Sequence, residues 1–192
     1  MNNAMARIKS PEKRQAILRA AVCEIAQVGL RASTASIAKG AGLAEGTMFT
    51  YFSSKDDLLN ELYIELKTEV YRCMNECFPY ESGLGERVRH VWTEYLHWAM
   101  EKPDDRKVSM LLNLSTIVSA VTRERISAER GAVAQTMDEL DKHGAFKDLP
   151  RGFASSAMLA MQEAVIEMTA KKPQQKGKII ERAFEAFWRM AE

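Results

Sequence analysis

Apolar residues recur at helical spacing through most of this chain, and no segment alternates between apolar and polar residues as a half-buried strand does. In the first such run, Ile17, Ala21 and Ile25 fall on one helix face, after a Ser10-Pro11 start signal. Later prolines separate the runs that follow, because proline disfavours the helical conformation of the residue before it. The pattern predicts an all-α fold, with helices near residues 11–28, 34–41, 45–52, 55–77, 85–101, 105–117, 119–143, 152–171 and 175–190.

Composition excludes several classes of protein. The chain has 192 residues, of which 46% are hydrophobic and 28% charged, a balance typical of a globular protein rather than a disordered one. No uncharged run is long and apolar enough to cross a bilayer, and residues 1–11 lack the apolar stretch of a signal peptide. Three cysteines, an odd number, do not suit a secreted disulfide framework. We therefore expect a cytoplasmic protein with no membrane partner.

The net charge of +1 hides an uneven distribution along the chain. Residues 1–55 carry eight basic and three acidic side chains, whereas the remainder carries 19 basic and 23 acidic ones. A basic N-terminal segment followed by an acidic remainder indicates that residues 1–55 bind a polyanion such as nucleic acid.

Residues 33–52 have the pattern of two short helices joined by a glycine turn. Ser33 is a suitable N-cap for the first helix, and Gly42 permits a positive φ angle in the turn. Met48 and Phe52 face inward from the second helix. This arrangement is a helix-turn-helix, whose second helix enters the major groove of DNA. An αα-hairpin without a DNA-binding role has the same spacing, so the pattern alone leaves both interpretations open.

Gly46 is the least expected residue of the second motif helix. Glycine within a helix costs roughly 1 kcal/mol relative to alanine. A bare backbone at this position makes sense if DNA must approach it closely.

The ordered residues of this segment resemble the DNA-binding motif of the TetR/AcrR family of one-component repressors. The positions that carry the resemblance are Ile37-Ala38, Ala41-Gly42-Leu43, Gly46-Thr47-Met48-Phe49, Tyr51-Phe52, Lys55 and Leu58. The resemblance covers residues 11 to about 65 and includes the amphipathic helix before the motif and the long helix after it. Residues 44–47, together with Trp92, Tyr95 and Trp98, resemble the multidrug-responsive, RamR-like branch of that family.

The resemblance implies a DNA-contacting role for residues at both ends of the motif and along its second helix. These residues are Ser33, Thr34, Ala44, Glu45, Gly46, Thr47, Thr50, Tyr51 and Lys55. Base edges fall to the positions around Gly46, whereas Tyr51 and Lys55 would contact phosphates. Phe49 stands where many family members carry tyrosine, so one phosphate contact is lost. Glu45, an acid in a basic surface, either accepts from cytosine N4 or repels phosphate.

Aromatic and methionine residues beyond the motif are candidates for a ligand pocket, because flat rings and flexible thioethers accept varied planar ligands. The candidates are Tyr63, Trp92, Tyr95, Trp98, Met110, Met158 and Met161. The same residues would serve as plain core, which their spacing alone favours. The family resemblance moves Tyr63 and Trp92 towards ligand contact.

The last two predicted helices present an apolar face that is broad for the outer layer of a small monomer, and this predicts a homodimer. The candidate interface residues are Phe153, Ala157, Ala160, Ala164, Ile180, Phe184, Phe187 and Trp188. Burial of these residues within a single chain is the alternative.

Motifs for catalysis and metal binding are weak. Glu94 and His97 form a Glu-x-x-His motif, but a di-iron bundle needs a second copy. The chain has no glycine-rich phosphate loop and no nucleophile elbow. We therefore predict no enzymatic activity, no catalytic residue, no metal and no cofactor.

Together these features predict a ligand-responsive transcriptional repressor that binds a palindromic operator in double-stranded DNA as a homodimer. A small aromatic or apolar effector would release it. Residues 1–54 would form a three-helix, helix-turn-helix DNA-binding domain, and residues 55–192 a helical ligand-binding and dimerisation bundle. The alternatives are a helical small-molecule-binding protein or enzyme without DNA binding, an activator, and a lipid-acyl-sensing regulator of the same family.

Overall fold

The structure is a computed structural model that describes residues 10–192. Residues 1–9, which include part of the predicted DNA-binding domain and of the segment judged to lack a signal peptide, lie outside the described residues. Every regular element of residues 10–192 is helical, which confirms the all-α fold. The α-helices are α1 (Pro11–Val28), α2 (Thr34–Gly40), α3 (Glu45–Met48), α4 (Lys55–Asn75), α5 (Leu84–Glu101), α6 (Pro103–Leu114), α7 (Ala120–Ala128), α8 (Ala132–Leu140), α9 (Phe153–Lys171) and α10 (Lys176–Trp188).

The chain divides into two compact units, and helix α4 runs from one into the other. The head unit holds the described residues up to Lys67 together with Pro103–Arg123, and the body unit holds Thr68–Lys102 and Glu124–Glu192. The head unit is larger than the predicted domain 1–54, because α6 packs on α1. The functional boundary after residue 54 stays a prediction.

Local capping explains where the helices of the head unit begin. The Ser10 hydroxyl accepts from the backbone N–H of Lys13 at 3.3 Å, and that of Ser33 accepts from Ser36 at 3.0 Å. Ser54 caps α4 in the same way, since its Oγ accepts from the Asp57 N–H at 3.0 Å. These side chains satisfy N–H groups that have no partner within the first helical turn.

Two predicted helices differ from the structure. The second motif helix ends at Met48 rather than near residue 52, because the N–H groups of Thr50 and Tyr51 bond three residues back in a tighter turn. The predicted helix 119–143 is two helices, α7 and α8. The chain turns at Gly131, whose φ of 56° lies in the left-handed region.

The body unit encloses an aromatic core formed by α5, α9 and α10. Trp92 of α5 stacks on Phe187 of α10, with ring centroids 5.9 Å apart, and meets Phe184 edge-on at 5.8 Å. The buried Gln162 of α9 donates from Nε2 to the backbone carbonyl of Trp92 at 3.2 Å. Across residues 10–192, no helix combines the length and apolar composition that crossing a bilayer requires.

Candidate functional site

The helix-turn-helix is held by a small, fully buried core. Ile37 of α2, Met48 of α3 and Phe52 just after α3 are buried. Side chains from both helices therefore hold α2 and α3 in place on their inner faces. Gly42 adopts a φ of 70° in the turn between the two helices, as predicted. A Cβ atom added at Gly40 would lie 3.3 Å from the Cβ of Ala20, which shows how closely α2 packs on α1. The motif is therefore a rigid platform for whatever its outer face contacts.

The outer face of this platform holds the predicted DNA-contacting residues. Ser33, Ala44, Glu45, Gly46 and Thr50 are exposed, and the remaining four, which are half-buried, are Thr34, Thr47, Tyr51 and Lys55. A Cβ atom at Gly46 would meet nothing within 4 Å. Packing within the described chain therefore gives no reason for glycine at this position.

Glu45 is not a free acid on this face. The Thr34 hydroxyl donates to Glu45 Oε1 at 2.5 Å and so joins the start of α2 to the start of α3. This bond orients the carboxylate across the motif. The predicted alternatives for Glu45, a contact to cytosine or repulsion of phosphate, both stay open.

Two of the predicted phosphate contacts also fasten the motif to its surroundings. The Tyr51 hydroxyl accepts from the backbone N–H of Ser10 at 3.2 Å, and Lys55 Nζ donates to the Leu30 carbonyl at 2.7 Å. A phenol that accepts one hydrogen bond keeps its own proton to donate, and an ammonium has three donors. Each side chain can therefore hold the motif in place and contact a phosphate at the same time.

Other contacts that hold α1 in the head unit were not predicted. Lys107 Nζ of α6 donates to the Ala26 carbonyl at 2.5 Å, near the C-terminal end of α1. Arg14 pairs with Glu61 of α4 at 2.5 Å. These partners are 81 and 47 residues apart in the chain, so no local sequence signal reveals them.

Comparison with known proteins gives the family of this motif. Residues 17–62 match the family model described as bacterial regulatory proteins, tetR family. The matched segment holds the DNA-binding motif of the TetR family. These matches support a DNA-binding transcriptional regulator, and the relationship of this chain to the RamR-like branch stays a prediction.

Similar proteins match this chain along most of their length. An uncharacterised HTH-type transcriptional regulator of Bacillus subtilis, YhgD, is 24% identical over 162 residues, which cover 82% of this chain and 84% of YhgD. A TetR family transcription regulator from Shewanella sp. PV-4 has 25% identity and a TM-score of 0.79, over 92% of this chain and 96% of its own.

Two solved structures of the same fold contain ligands. The regulator LfrR from Mycobacterium smegmatis, in complex with proflavine, has 18% identity and a TM-score of 0.65, over 92% of this chain and 95% of its own. FadR from Bacillus subtilis, in complex with stearoyl-CoA, has 20% identity and a TM-score of 0.63, over 88% and 97%. At these identities the likeness shows the fold alone.

The predicted ligand-binding residues of this chain are divided between the two units. Tyr63 and Met110 belong to the head unit, and the others belong to the body unit: Trp92, Tyr95, Trp98, Met158 and Met161. The buried Tyr63 hydroxyl hydrogen-bonds to Asn113 Oδ1 at 3.1 Å. The Lys67 ammonium lies 5.6 Å from the centre of the Tyr63 ring. Burial raises the pKa of Tyr63, and the nearby charge of Arg123 partly opposes that rise.

The aromatic residues of α5 are packed by their own chain. Trp92 is 1% exposed, and Trp98 is also buried. Tyr95 lies 6.0 Å from the Trp98 ring and donates its hydroxyl proton to Glu163 at 3.1 Å. The indole N–H groups of both tryptophans are buried and have no hydrogen-bond partner among residues 10–192. These side chains are core in this conformation, and their contact with a ligand stays a prediction.

The predicted dimer interface needs a correction. Phe184 and Phe187 are 3% and 0% exposed within the single chain, so neither has surface left for a partner, and their assignment to the interface was wrong. They pack on Trp92 instead. Trp188 is half-buried, with its ring stacked on Phe184 at 6.4 Å, and Ile180 is half-buried as well.

The remaining candidates form an accessible stripe along α9. Phe153, Ala160 and Ala164 are exposed and Ala157 is half-buried, and Met168 continues the same helix face. These positions lie three or four residues apart, so they share one side of the helix. Small side chains along this line permit another helix to approach closely.

Proposed function

We propose that this TetR family regulator is a homodimeric repressor that binds an inverted-repeat operator and leaves it when a small aromatic or apolar effector binds. The proposal assigns operator binding to residues 1–54 and dimerisation and effector binding to residues 55–192. It includes no enzymatic activity. One observation carries it: α3 is held by a buried core, yet Ala44, Glu45 and Gly46 are exposed at its start, and a Cβ atom at Gly46 would meet nothing within 4 Å.

Operator binding as a dimer rests on the stripe on α9. A two-fold interface brings the same surface of both subunits together, and a row of alanines suits helix-on-helix contact. Two subunits related in this way carry two copies of α3. Each copy reads one half-site, so the half-sites lie about one helical turn, ~34 Å, or a small multiple apart.

An effector role is supported by the chemistry of the body core and by the ligands of proteins with the same fold. Buried indole N–H groups without partners would gain a hydrogen bond from a ligand that carries an acceptor. LfrR was solved with proflavine, a planar aromatic compound, and FadR with stearoyl-CoA, an acyl thioester. We favour an aromatic effector, because aromatic rings surround Trp92.

Selection of bound sequences from a random duplex pool tests the DNA part of the proposal. The full-length protein is expected to enrich an inverted repeat, and footprinting is expected to show two equivalent protected half-sites. Affinity for that duplex should fall steeply with salt, because phosphate contacts release counterions. A single asymmetric site bound by a monomer would contradict the proposal.

The effector part is tested by titrating the protein–operator complex with proflavine and, separately, with stearoyl-CoA. Release by proflavine supports an aromatic effector, whereas release by stearoyl-CoA alone favours the acyl-sensing alternative. Coupling is reciprocal, so a tenfold loss of operator affinity requires a tenfold loss of ligand affinity in the presence of DNA. An operator affinity that neither compound changes would contradict the effector class proposed.

A further inference from the structure

The open face of the helix-turn-helix carries a large apolar side chain that packing within the chain leaves exposed. Phe49 is 43% exposed, although its neighbours Met48 and Phe52 are fully buried. The Phe49 N–H donates to the Glu45 carbonyl at 3.2 Å, so the backbone under this ring is tied into α3. Among the described residues 33–52, Phe49 is the one large hydrophobic side chain left exposed. The ring is therefore presented outward from a fixed position.

The side chains around Phe49 offer few groups that read bases by hydrogen bonds. Residues 44–51 are Ala-Glu-Gly-Thr-Met-Phe-Thr-Tyr and include no arginine, lysine, asparagine or glutamine. In the major groove, arginine or lysine pairs with guanine and asparagine or glutamine pairs with adenine. The one acid of the segment, Glu45, already accepts from Thr34. The bidentate pairings to guanine and adenine are therefore not available to this segment, whose remaining hydrogen-bonding side chains are Glu45 and the hydroxyls of Thr47, Thr50 and Tyr51.

Thymine differs from the other bases by its C5-methyl group, which lies in the major groove and is contacted by apolar side chains. We propose that Phe49 covers a thymine methyl group in each half-site, and that such apolar contacts set the sequence preference of this regulator. This inference rests on the proposed function, since it requires α3 to enter the major groove. Ala44 and Thr47 lie in the same segment and carry further methyl groups suited to the same chemistry.

The size of the effect follows from the area that one methyl group loses to water. Burial of one such group corresponds to about a fourfold change in affinity. A dimer that makes the contact in both half-sites should therefore lose about sixteenfold when both methyl groups are removed. A phenyl ring makes no conventional hydrogen bond to a base, so the difference in affinity between thymine and uracil measures its contact with the methyl group.

The test exchanges thymine for uracil, which keeps the pairing and the O4 acceptor but lacks the methyl group. The duplex selected from the random pool is synthesised with deoxyuridine at each symmetry-related pair of thymines in turn. For the full-length wild type, we expect at least one pair to lower affinity by about sixteenfold. The Phe49→Ala variant should bind the thymine and uracil duplexes equally at that pair.

Two further variants separate a specific contact from a general effect. Tyr80→Ala removes another exposed aromatic ring, 65% exposed and outside the helix-turn-helix, and should keep the full thymine preference. Phe49→Leu keeps an apolar side chain and should retain part of it. Circular dichroism verifies that each variant is folded.

The outcomes distinguish the two levels of the proposal. Wild-type protein that binds thymine and uracil duplexes equally at every pair would overturn the inference while leaving the proposed function intact. A thymine preference that survives unchanged in Phe49→Ala would overturn the role of Phe49. Failure to select any duplex would overturn the proposed function, and this inference with it.

Discussion

Replacement of Phe187 by alanine is expected to destabilise the core of the body unit rather than separate two subunits. Phe187 is fully buried, and its ring lies 5.9 Å from that of Trp92 and 5.7 Å from that of Phe146. Truncation of a buried phenylalanine to alanine costs about 3–5 kcal/mol, because lost burial and a residual cavity both contribute. A typical native protein is stable by only about 5–15 kcal/mol. The variant should therefore unfold at a much lower urea concentration than the wild type.

Ala160 provides the matched control, because it is exposed on α9 and belongs to the proposed interface. Ala160→Glu places a charge where the partner helix would pack and removes no contact within the chain. We expect this variant to sediment as a folded monomer and to lose operator binding at micromolar protein. Urea unfolding followed by circular dichroism, with sedimentation velocity on the same samples, measures both effects.

The two variants give opposite results if the burial argument holds. The burial argument would be refuted if the Phe187→Ala variant unfolded at the wild-type urea concentration but sedimented as a monomer. Phe187 would then belong to the dimer interface. Ala160→Glu that remains dimeric would move the interface away from this face of α9.

Three more substitutions test the site and the head unit. Gly46→Ala should raise the free energy of unfolding by up to about 1 kcal/mol, because the added Cβ atom meets nothing within 4 Å. The same variant should bind the operator more weakly, and a gel-shift titration together with a thermal melt measures both effects. Unchanged operator affinity would show that close approach of DNA does not explain the glycine at position 46. Lys55→Gln keeps a donor for the Leu30 carbonyl but removes the charge. It should weaken binding to all duplexes alike and lower the dependence of log affinity on log salt concentration by about one unit. A changed base preference would contradict the phosphate role. Tyr63→Phe should cost roughly 0.5–1.5 kcal/mol at pH 7 by removing the bond to Asn113. Burial raises the pKa of Tyr63 in the folded state, so its contribution is present at lower pH and is lost as pH rises above about 10; urea unfolding between pH 8 and 11 should show a shallower alkaline decline in the variant than in the wild type.

Local sequence patterns determined most of the helices and the helix-turn-helix, and they carry the resemblance to the TetR family. The caps at Ser10 and Ser33, the positive φ at Gly42 and the buried positions Met48 and Phe52 all follow from residues within a few positions of one another. Such features depend on the hydrogen bonds and side-chain spacing of one or two helical turns, which the chain carries wherever it packs. They are sufficient to place the candidate DNA-contacting residues in and beside one motif without any tertiary contact.

Tertiary structure alone decided which apolar residues are internal and how distant segments meet. The apolar spacing of α10 is the same whether Phe184 and Phe187 face their own core or a partner, because periodicity identifies an apolar face but not what covers it. The break of the predicted helix 119–143 is likewise set by long-range packing: Gly131 turns beside Asn75, whose side chain accepts from the Ala132 N–H at 3.0 Å. These contacts join residues dozens of positions apart, and their energies exist only once the segments are packed together.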